Sequence, residues 1–354
     1  MKRVIVPFFI AHQGCPHQCV FCDQEKITGV AAALPVAADI RSRVADWLVS
    51  SGAATVEVAF YGGTFTALSQ GEQLALLAPL QPLLASGSVS SVRVSTRPDC
   101  VTADNVALLK QYGVSLVELG VQSMDDGVLA AAGRGHGAAA TVKAFTILKR
   151  AGMQAGAQMM PGLPGAGRGE ALASLRKIIP LKPDILRIYP AVVLEGTGLA
   201  EMYECGSFHP LSLDEAVQVC KLLLHEAALA GVPVIRVGLQ PTEDIAEGAE
   251  LLAGPFHPAF RQLVESERWY DLLQRLMAGF GKDAALNIYV APAKVADVVG
   301  QKRVNISRLR SSGRIVAAVR ADATLSDRRI IITDGIKTVS GDILTDLDYQ
   351  SEIN

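Results

Sequence analysis

Three of the six cysteines lie in one short stretch, Gly14-Cys15-Pro16-His17-Gln18-Cys19-Val20-Phe21-Cys22. The stretch comes just after an apolar run, Val4 to Ile10, whose composition is typical of a β-strand. Thiolates spaced C-x3-C-x2-C on one loop can converge on a single metal centre. A protein iron–sulfur cluster usually takes four thiolates, so three would leave one coordination position open, as catalytic metal sites do.

Two other interpretations of this stretch are open at this point. Zinc could be bound with His12 or His17 as the fourth ligand, or the cysteines could be unrelated core residues. The other three cysteines are scattered along the chain. We expect Cys205 and Cys220 in the core, because free cysteine is among the most buried residue types, and we assign no role to Cys100.

The length predicts roughly two domains, because the chain has 354 residues and a domain holds about 150. Half of the residues are hydrophobic and the net charge is −2, so a large core is available and the overall charge indicates no particular partner. No apolar run is long enough to span a membrane, and the N-terminal residues lack the cleavage site of a secretory signal. We therefore expect a cytoplasmic protein that does not associate with membranes.

Short β-branched runs alternate with longer stretches rich in Ala and Leu. The predicted strands are 4–10, 56–60, 92–96, 116–119, 154–159 and 185–188, with a weaker seventh at 233–237. The predicted helices lie near 36–51, 70–85, 103–112, 138–151, 169–179 and 212–230. Such alternation predicts βαβ units and a parallel sheet. Six units do not close an eight-fold barrel, so we expect an α/β fold with a partial (βα)6 TIM-like barrel.

Residues with special chemistry follow the carboxyl ends of these strands, where ligands bind in parallel α/β folds. Beyond the cysteine loop these segments are Tyr61-Gly62-Gly63-Thr64, Arg97-Pro98-Asp99, Gly120-Val121-Gln122-Ser123, Pro161-Gly162-Leu163-Pro164-Gly165 and Tyr189-Pro190. The glycine pair lacks Cβ atoms and allows a ligand to approach the backbone, although a tight turn by itself would explain it equally well.

In combination these motifs resemble the radical S-adenosylmethionine (SAM) enzymes. Over about residues 1–242 the sequence is similar to the radical SAM half of the Elongator catalytic subunit. The motifs that carry the resemblance are Phe60-Tyr61-Gly62-Gly63-Thr64-Phe65-Thr66, Thr96-Arg97-Pro98-Asp99, Glu118-Leu119-Gly120-Val121-Gln122-Ser123, Gly133-Arg134-Gly135-His136, Met160-Pro161-Gly162-Leu163-Pro164-Gly165 and Arg187-Ile188-Tyr189-Pro190. The resemblance implies a [4Fe–4S] cluster and SAM as cofactors, reductive cleavage of SAM to a 5′-deoxyadenosyl radical, and an electron donor such as ferredoxin or flavodoxin.

The resemblance also implies roles for individual residues. Iron would be bound by Cys15, Cys19 and Cys22, and SAM by Phe21, Gly62, Gly63, Thr64, Ser95, Glu118, Arg134 and Gln158. Arg134 is the candidate for the SAM carboxylate, because a guanidinium pairs with a carboxylate through two parallel hydrogen bonds. As alternatives, Glu118 and Arg134 pair with one another, and Gln158 only satisfies backbone groups. The residues expected to face the substrate are Arg187, Tyr189 and Gln240.

Two departures from the Elongator pattern limit what the resemblance implies. The cysteine loop here is compact, whereas the Elongator subunit has a longer insertion between its cysteines. We also find no acetyltransferase domain after the barrel, so the resemblance does not imply the acetyl-CoA half of the Elongator reaction.

The C-terminal part of the chain carries a basic stretch, with seven cations and one acid between residues 294 and 320. Residues 298–306 resemble the core of a KH-type RNA-binding module, with Arg303 in place of the last glycine of its G-x-x-G loop. The candidate RNA-binding residues are Lys302, Arg303, Arg308 and Arg310. Alternatively, a KH-like module serves only for packing. The predicted organisation is a radical SAM partial barrel at 1–242, a helical connection at 243–283 and the small C-terminal KH-like α/β module at 284–354.

We therefore expect a radical SAM enzyme that acts on RNA, in particular tRNA, with no prediction of its oligomeric state. One alternative is a radical SAM enzyme acting on a small molecule, similar to the porphyrinogen oxidases. Another is a non-catalytic iron–sulfur RNA-binding protein, which would have no need of Gly62, Glu118 and Arg134 on the rim of the barrel.

Overall fold

The computed structural model describes residues 4–29, 33–52, 55–167, 169–239 and 250–349. The chain divides into two compact units, which we treat separately. The first unit comprises Met1–Ser212 and Val232–Pro255, and the second comprises Leu213–Gly231 and Phe256–Asn354.

The first unit is built on seven parallel strands in the order β1-β2-β3-β4-β5-β6-β8. These strands are β1 Ile5–Phe9, β2 Val56–Tyr61, β3 Val89–Thr96, β4 Val114–Gln122, β5 Gln154–Met159, β6 Ile185–Ile188 and β8 Val234–Val237. Two further short strands, β7 Val193–Leu194 and β9 Leu251–Ala253, pair with one another antiparallel. The sheet is a curled half-barrel with β1 and β8 at its edges. The predicted partial TIM-like barrel is therefore confirmed, and the weak seventh strand belongs to it.

Helices alternate with these strands. The helices of the first unit are α1 Gln24–Thr28, α2 Ala37–Ser51, α3 Gln70–Leu77, α4 Gln81–Ala85, α5 Ala103–Gln111, α6 Asp126–Ala131, α7 Ala138–Arg150, α8 Glu170–Ile178 and α9 Gly198–Glu204. Two of them begin at capping boxes, Ser69 with Glu72 before α3 and Thr102 with Asn105 before α5. No described helix is both long and apolar enough to cross a membrane.

Strand β2 is buried on both faces, as expected for a strand inside a parallel sheet whose two faces are covered. Five of the six residues of β2 are buried. The Phe60 ring stacks on Phe8 of β1, with ring centroids 5.6 Å apart, and meets Phe65 at 5.5 Å. This aromatic packing fixes the two strands whose carboxyl ends carry the cysteine loop and the glycine pair.

The second unit pairs helices with a four-stranded sheet of order β11-β10-β12-β13. Its strands are β10 Ala285–Val290, β11 Ile315–Ala321, β12 Arg329–Thr333 and β13 Thr338–Asp342, and its helices are α10 Leu213–Leu229, α11 Phe260–Met277, α12 Val295–Val299 and α13 Val304–Ser311. β10 pairs parallel with β11 across the α12–α13 pair, and the other pairings are antiparallel. The core is formed around Trp269, Leu272, Ile288 and Ile332.

This division differs in two places from the organisation that the sequence suggested. Helix α10 was assigned to the barrel segment, but it belongs to the second compact unit. The connection at 243–283 was expected to be helical, whereas in its described part residues 251–253 form strand β9 and helix α11 spans Phe260–Met277. Residues 240–249 lie outside the described residues. Cys220 is buried as expected, but the expectation that Cys205 lies in the core is wrong, because it caps the C-terminus of α9 and is exposed.

The buried amide of Asn305 links three helical segments of the second unit, which gives a test of this fold. Its nitrogen donates hydrogen bonds to the carbonyl oxygens of Ser266, at 2.9 Å, and Val298, at 3.2 Å. Asn305→Ala leaves both carbonyls without their donor, so we expect the free energy of unfolding to fall by about 1–3 kcal/mol. Ser307→Ala, on the exposed side of the same helix, should change it by less than about 0.5 kcal/mol. Equal denaturation midpoints for the two variants would contradict this packing.

Candidate active site

A cavity of about 630 Å³ opens at the carboxyl end of the half-barrel strands. All of the residues predicted to bind iron or SAM line it, as do two of the three predicted to face substrate: Cys15, Cys19, Phe21, Cys22, Gly62, Gly63, Thr64, Ser95, Glu118, Arg134, Gln158, Arg187 and Tyr189. Gln240, the third, lies outside the described residues. The fold therefore brings together residues that are up to 174 positions apart, from Cys15 to Tyr189.

The cysteine loop packs so closely against the end of β2 that a side chain would not fit at Gly14 or at Gly63. Gly63 has φ +53°, and a Cβ there would lie 2.4 Å from the carbonyl oxygen of Ile10 and 2.5 Å from that of Gln13. Gly14 has φ +72°, and a Cβ there would lie 2.5 Å from the carbonyl oxygen of Thr64. Both positions require glycine, for backbone conformation and for space.

One side chain completes this docking. The Gln24 Oε1 atom accepts hydrogen bonds from the backbone N–H groups of His12 and Gly63, both at 2.5 Å. The Nε2 atom of His12 accepts a hydrogen bond from the Gln24 backbone N–H at 2.9 Å. At Gly62 a Cβ would be 3.3 Å from the Gln24 side chain, so Gly62 is the less confined of the two glycines.

The three thiols face the same cavity and are held by different partners. Cys15 Sγ lies 3.2 Å from Thr64 Oγ1, and Arg134 Nη1 donates to Cys19 Sγ at 3.2 Å. Burial, together with the neighbouring Cys19 and Cys15, raises the pKa of Cys22 to about 12. Within the described ranges, no three His, Cys, Asp or Glu side chains are drawn together as a metal site. The assignment of metal ligands therefore rests on the chemistry of the donors and on their shared cavity.

The histidines considered as zinc ligands have other contacts. The Nε2 atom of His12 is occupied by its hydrogen bond from Gln24, and the ring of His17 is exposed and packs against Gly135, where a Cβ would meet it at 2.5 Å. Among the described residues, neither imidazole forms a metal group with the cysteines.

Two buried arginines converge on Cys19. Arg134 donates from Nη2 to the carbonyl oxygen of Gly120 at 2.6 Å, and its buried Nε has no acceptor among the described residues. Arg97 is paired with Asp99 at 2.9 and 3.0 Å, donates to the Arg134 carbonyl oxygen, and has its Nη1 3.9 Å from Cys19 Sγ. A positively charged group with an unused donor thus lies beside one of the cysteines.

Glu118 is not the partner of Arg134. Its carboxylate is bound by Arg93, at 3.2 Å, and by Arg187, at 2.5 Å. Arg93 in turn pairs with Glu57 on β2. The alternative in which Glu118 and Arg134 pair with one another is therefore wrong. A buried chain of alternating charges, on β2, β3, β4 and β6, crosses the interior of the half-barrel instead.

Two tyrosines extend this ion network. The Arg187 Nη2 atom donates to Tyr61 Oη at 2.9 Å, and its Nη1 atom donates to Tyr189 Oη at 3.1 Å. Burial, followed by the negative charge of Glu118, raises the pKa of Tyr61 to about 12. Burial alone would lower the pKa of Arg187, but Tyr189 and Glu118 raise it. Arg187 therefore remains a cation, and the Tyr61 phenol remains protonated.

Sequence reasoning placed Gln122 in a strand-end segment but gave it no role, whereas a β-bulge directs it into the cavity. The β4–β5 register shifts between Gly120 and Gln122, and Gln122 has φ +66°, an unfavourable conformation for a residue with a side chain. Its side chain lies 3.4 Å from Gln158 Nε2, so Gln158 has a side-chain partner rather than only a backbone one. The available sequence feature was Gly120-x-Gln122 at the end of a strand, but this pattern alone does not predict a bulge.

Arg236 was also missed. It lies on the edge strand β8, lines the cavity, and is in register with Arg187 of β6. An arginine in a short strand beside charged neighbours is an ordinary sequence feature. Only the order of the strands shows its relevance, because it places β8 at the edge of the sheet and Arg236 in the cavity lining.

Comparisons with known proteins identify the families that this chain resembles. The model of the radical SAM superfamily matches residues 9–178, and that of the radical SAM C-terminal domain matches residues 183–269. The tRNA uridine(34) acetyltransferase of Methanocaldococcus infernus is 36% identical over 129 residues, which are 36% of this chain and 24% of that protein. Human Elongator complex protein 3 is 28% identical over 190 residues, 48% of this chain and 35% of that protein. The chain thus spans about a quarter to a third of the length of these relatives.

A solved structure shows the same fold. The archaeal Elongator protein 3 of Methanocaldococcus infernus, with an N-terminal deletion, superposes with a TM-score of 0.59 at 22% identity. The match covers 83% of this chain and 67% of the other. An uncharacterised protein of Methanocaldococcus jannaschii is 28% identical over 225 residues, 60% of this chain and 69% of that protein. Taken with the two family matches, these findings show that the chain belongs to the radical SAM superfamily and is homologous, over its radical SAM region, to the Elongator proteins.

Proposed function

We propose that this protein is a radical SAM enzyme that holds a [4Fe–4S] cluster on Cys15, Cys19 and Cys22 and modifies RNA. The observation that carries the proposal is the convergence of three thiols, a glycine turn and the unused Nε of Arg134 on one cavity. Three thiolates leave one iron of a [4Fe–4S] cluster without a protein ligand. In radical SAM enzymes, SAM binds that iron.

The residues present fit these groups. Thiolates are the protein ligands of iron–sulfur clusters, and the buried Nε of Arg134 lacks an acceptor, as expected beside a group that is anionic when bound. With the cluster and SAM bound, the chemistry supplied is reductive cleavage of SAM to a 5′-deoxyadenosyl radical. The protein contributes binding, orientation and the exclusion of water.

The chain's own residues supply these functions in different ways. Gly62 exposes backbone groups of the cavity wall to the SAM amino group, and Arg134 faces its carboxylate. Glu118 is fixed by two arginines and a tyrosine, so it offers a rigid acceptor to a ribose hydroxyl. Phe21 is buried with Cys19 in an apolar cluster, which keeps water from that side of the loop. Thr64 and Ser95 are positioned as further polar contacts, and Gln158 as a contact for ribose or adenine.

RNA is the proposed substrate because relatives over the radical SAM region include a protein named as a tRNA uridine(34) acetyltransferase, and because the second unit presents a basic turn. In that turn, between α12 and α13, Lys302 and Arg303 are exposed, and both have positive φ, 50° and 63°. Two consecutive side-chain-bearing residues in this unfavourable conformation cost stability, which favours a functional reason for the turn. We infer a KH-like module that contacts the phosphate backbone there.

Of the four candidate RNA-binding cations, Arg308 already has a partner within the second unit. Arg308 is bound by Glu267 through two hydrogen bonds, at 2.6 and 3.0 Å, and lies 3.5 Å from the centre of the Tyr270 ring. Its charge is therefore used within the unit. The RNA proposal rests on Lys302, Arg303 and Arg310, which are exposed.

The first test of this proposal is metal content. Anaerobic reconstitution of the full chain should give about four irons and four sulfides per chain, and replacing Cys15, Cys19 and Cys22 together by alanine should abolish both. Cys100→Ala, Cys205→Ala and Cys220→Ala serve as controls and should retain the iron. Stoichiometric zinc with no iron in the wild-type protein would refute the radical SAM assignment of this loop.

The second test concerns Arg134. In the reconstituted protein, Arg134→Gln should weaken SAM binding by about 1.5–3 kcal/mol, because a hydrogen-bonded charge pair is lost, as measured by equilibrium titration. Arg150→Gln, at an exposed helix position, should bind SAM normally. Unchanged SAM affinity in Arg134→Gln, with a lower reduction potential of the cluster, would instead assign Arg134 to the Cys19 thiolate alone.

The third test concerns the basic turn. RNA affinity should fall linearly with the logarithm of salt concentration, with a slope near −0.7 for each phosphate neutralised on a single strand. Lys302→Ala with Arg303→Ala should weaken RNA binding and flatten this slope by about one to two units. The matched control removes the same two types of charge from the exposed positions Lys143 and Arg150 and should leave the slope unchanged. Wild-type protein without salt-dependent RNA binding would favour a small-molecule substrate.

A further inference from the structure

Arg236 differs from the other arginines of the cavity in its partners. Its Nε atom donates a long hydrogen bond, 3.4 Å, to the carbonyl oxygen of Gly238. Among the described residues, neither of its Nη atoms has a hydrogen-bond partner and no carboxylate pairs with it. The planar fork of an arginine is suited to binding two oxygens of one anion, and here that fork is unused.

Apart from Arg134, the other arginines in and around the cavity are already paired with carboxylates. Arg187 is bound to Glu118, Arg93 to Glu57 and Glu118, and Arg97 to Asp99. Arg134 lies on Cys19 Sγ at the cysteine end. Arg236 is the remaining arginine among the described residues that line the cavity. Its strand, β8, is the edge opposite β1, which leads into the cysteine loop.

A second donor lies just beyond the end of the neighbouring strand. Arg187 and Arg236 are register partners, and Tyr189, the residue directly after β6, lines the same cavity. Tyr189 Oη accepts a hydrogen bond from Arg187 at 3.1 Å, and the described residues offer no acceptor for its own proton. The phenol is thus oriented by Arg187 with a free O–H.

We propose that Arg236 and Tyr189 form an anion subsite that binds a phosphate of the nucleotide to be modified. This inference rests on the proposed function, since it takes RNA as the substrate. The guanidinium of Arg236 donates hydrogen bonds to two phosphate oxygens, and the Tyr189 hydroxyl donates a hydrogen bond to the same phosphate. Held at the β8 edge, the phosphate anchors the nucleotide while its base and ribose extend towards the cysteine side of the cavity.

The test is calorimetric titration of the reconstituted 354-residue chain, in the presence of SAM, with each of the four ribonucleoside 5′-monophosphates and with the corresponding nucleosides. At least one monophosphate should bind about tenfold more tightly than its nucleoside, as expected for hydrogen bonds to a charged group. Arg236→Gln should abolish that difference, Arg236→Lys should keep part of it, and Tyr189→Phe should reduce it about threefold. Inorganic phosphate should compete with the monophosphate in the wild-type protein and not in Arg236→Gln.

Further measurements distinguish a failure of the phosphate subsite from a failure of the proposed radical SAM function. Arg150→Gln, the matched loss of an exposed arginine, should bind monophosphates as the wild type does. If Arg236→Gln weakened SAM binding tenfold, the arginine would serve the SAM carboxylate and the subsite would be overturned. Equal affinity of the wild type for monophosphates and nucleosides would also overturn it, while iron and SAM binding would leave the proposed radical SAM function standing. A wild-type protein that bound neither iron nor SAM would refute the function itself.

Discussion

The contact on which the site depends is the close approach of two backbone segments, the cysteine loop and the end of β2. Gly14 and Gly63 allow this approach because a Cβ at either would overlap a carbonyl oxygen at about 2.5 Å. Gln24 then satisfies the two N–H groups that the approach would leave without acceptors, those of His12 and Gly63. Burying such groups unpaired would be costly. Backbone packing therefore sets the position of the cysteine loop against the end of β2.

The interior of the half-barrel is organised by charge rather than by apolar packing alone. Glu57, Arg93, Glu118 and Arg187 form a buried chain in which each charge has a neighbour of opposite sign. Removing one member would leave an uncompensated charge in a dry environment, which costs much more than an exposed pair contributes. The chain fixes the side chains that line the cavity, so rigidity of the site and stability of the barrel come from the same contacts.

Much of the fold could be predicted because strand–helix alternation and strand-end motifs are local signals. The cysteine spacing and the glycine pair are local too, and all of the described residues expected at the site do line one cavity. What could not be predicted depends on spatial neighbours. Gln122 enters the cavity through a bulge, Arg308 is neutralised by Glu267 from another helix, and α10 belongs to the second unit. None of these three features produces a recognisable local pattern in the sequence.

Two arginines that line the cavity have no carboxylate partner among the described residues, and the pairing of the other arginines gives this a functional meaning. A polar interior can be made neutral by pairing, as it is for Arg93, Arg97 and Arg187, and a barrel that needed only stability would pair every charge. Arg134 and Arg236 depart from that pattern, one beside the cysteine loop and one on the opposite edge strand. A cation kept in a cavity without a carboxylate pays part of its desolvation cost until an anion arrives. Two such cations, separated across one sheet, fit a site that binds an anionic cofactor group and an anionic substrate group at the same time.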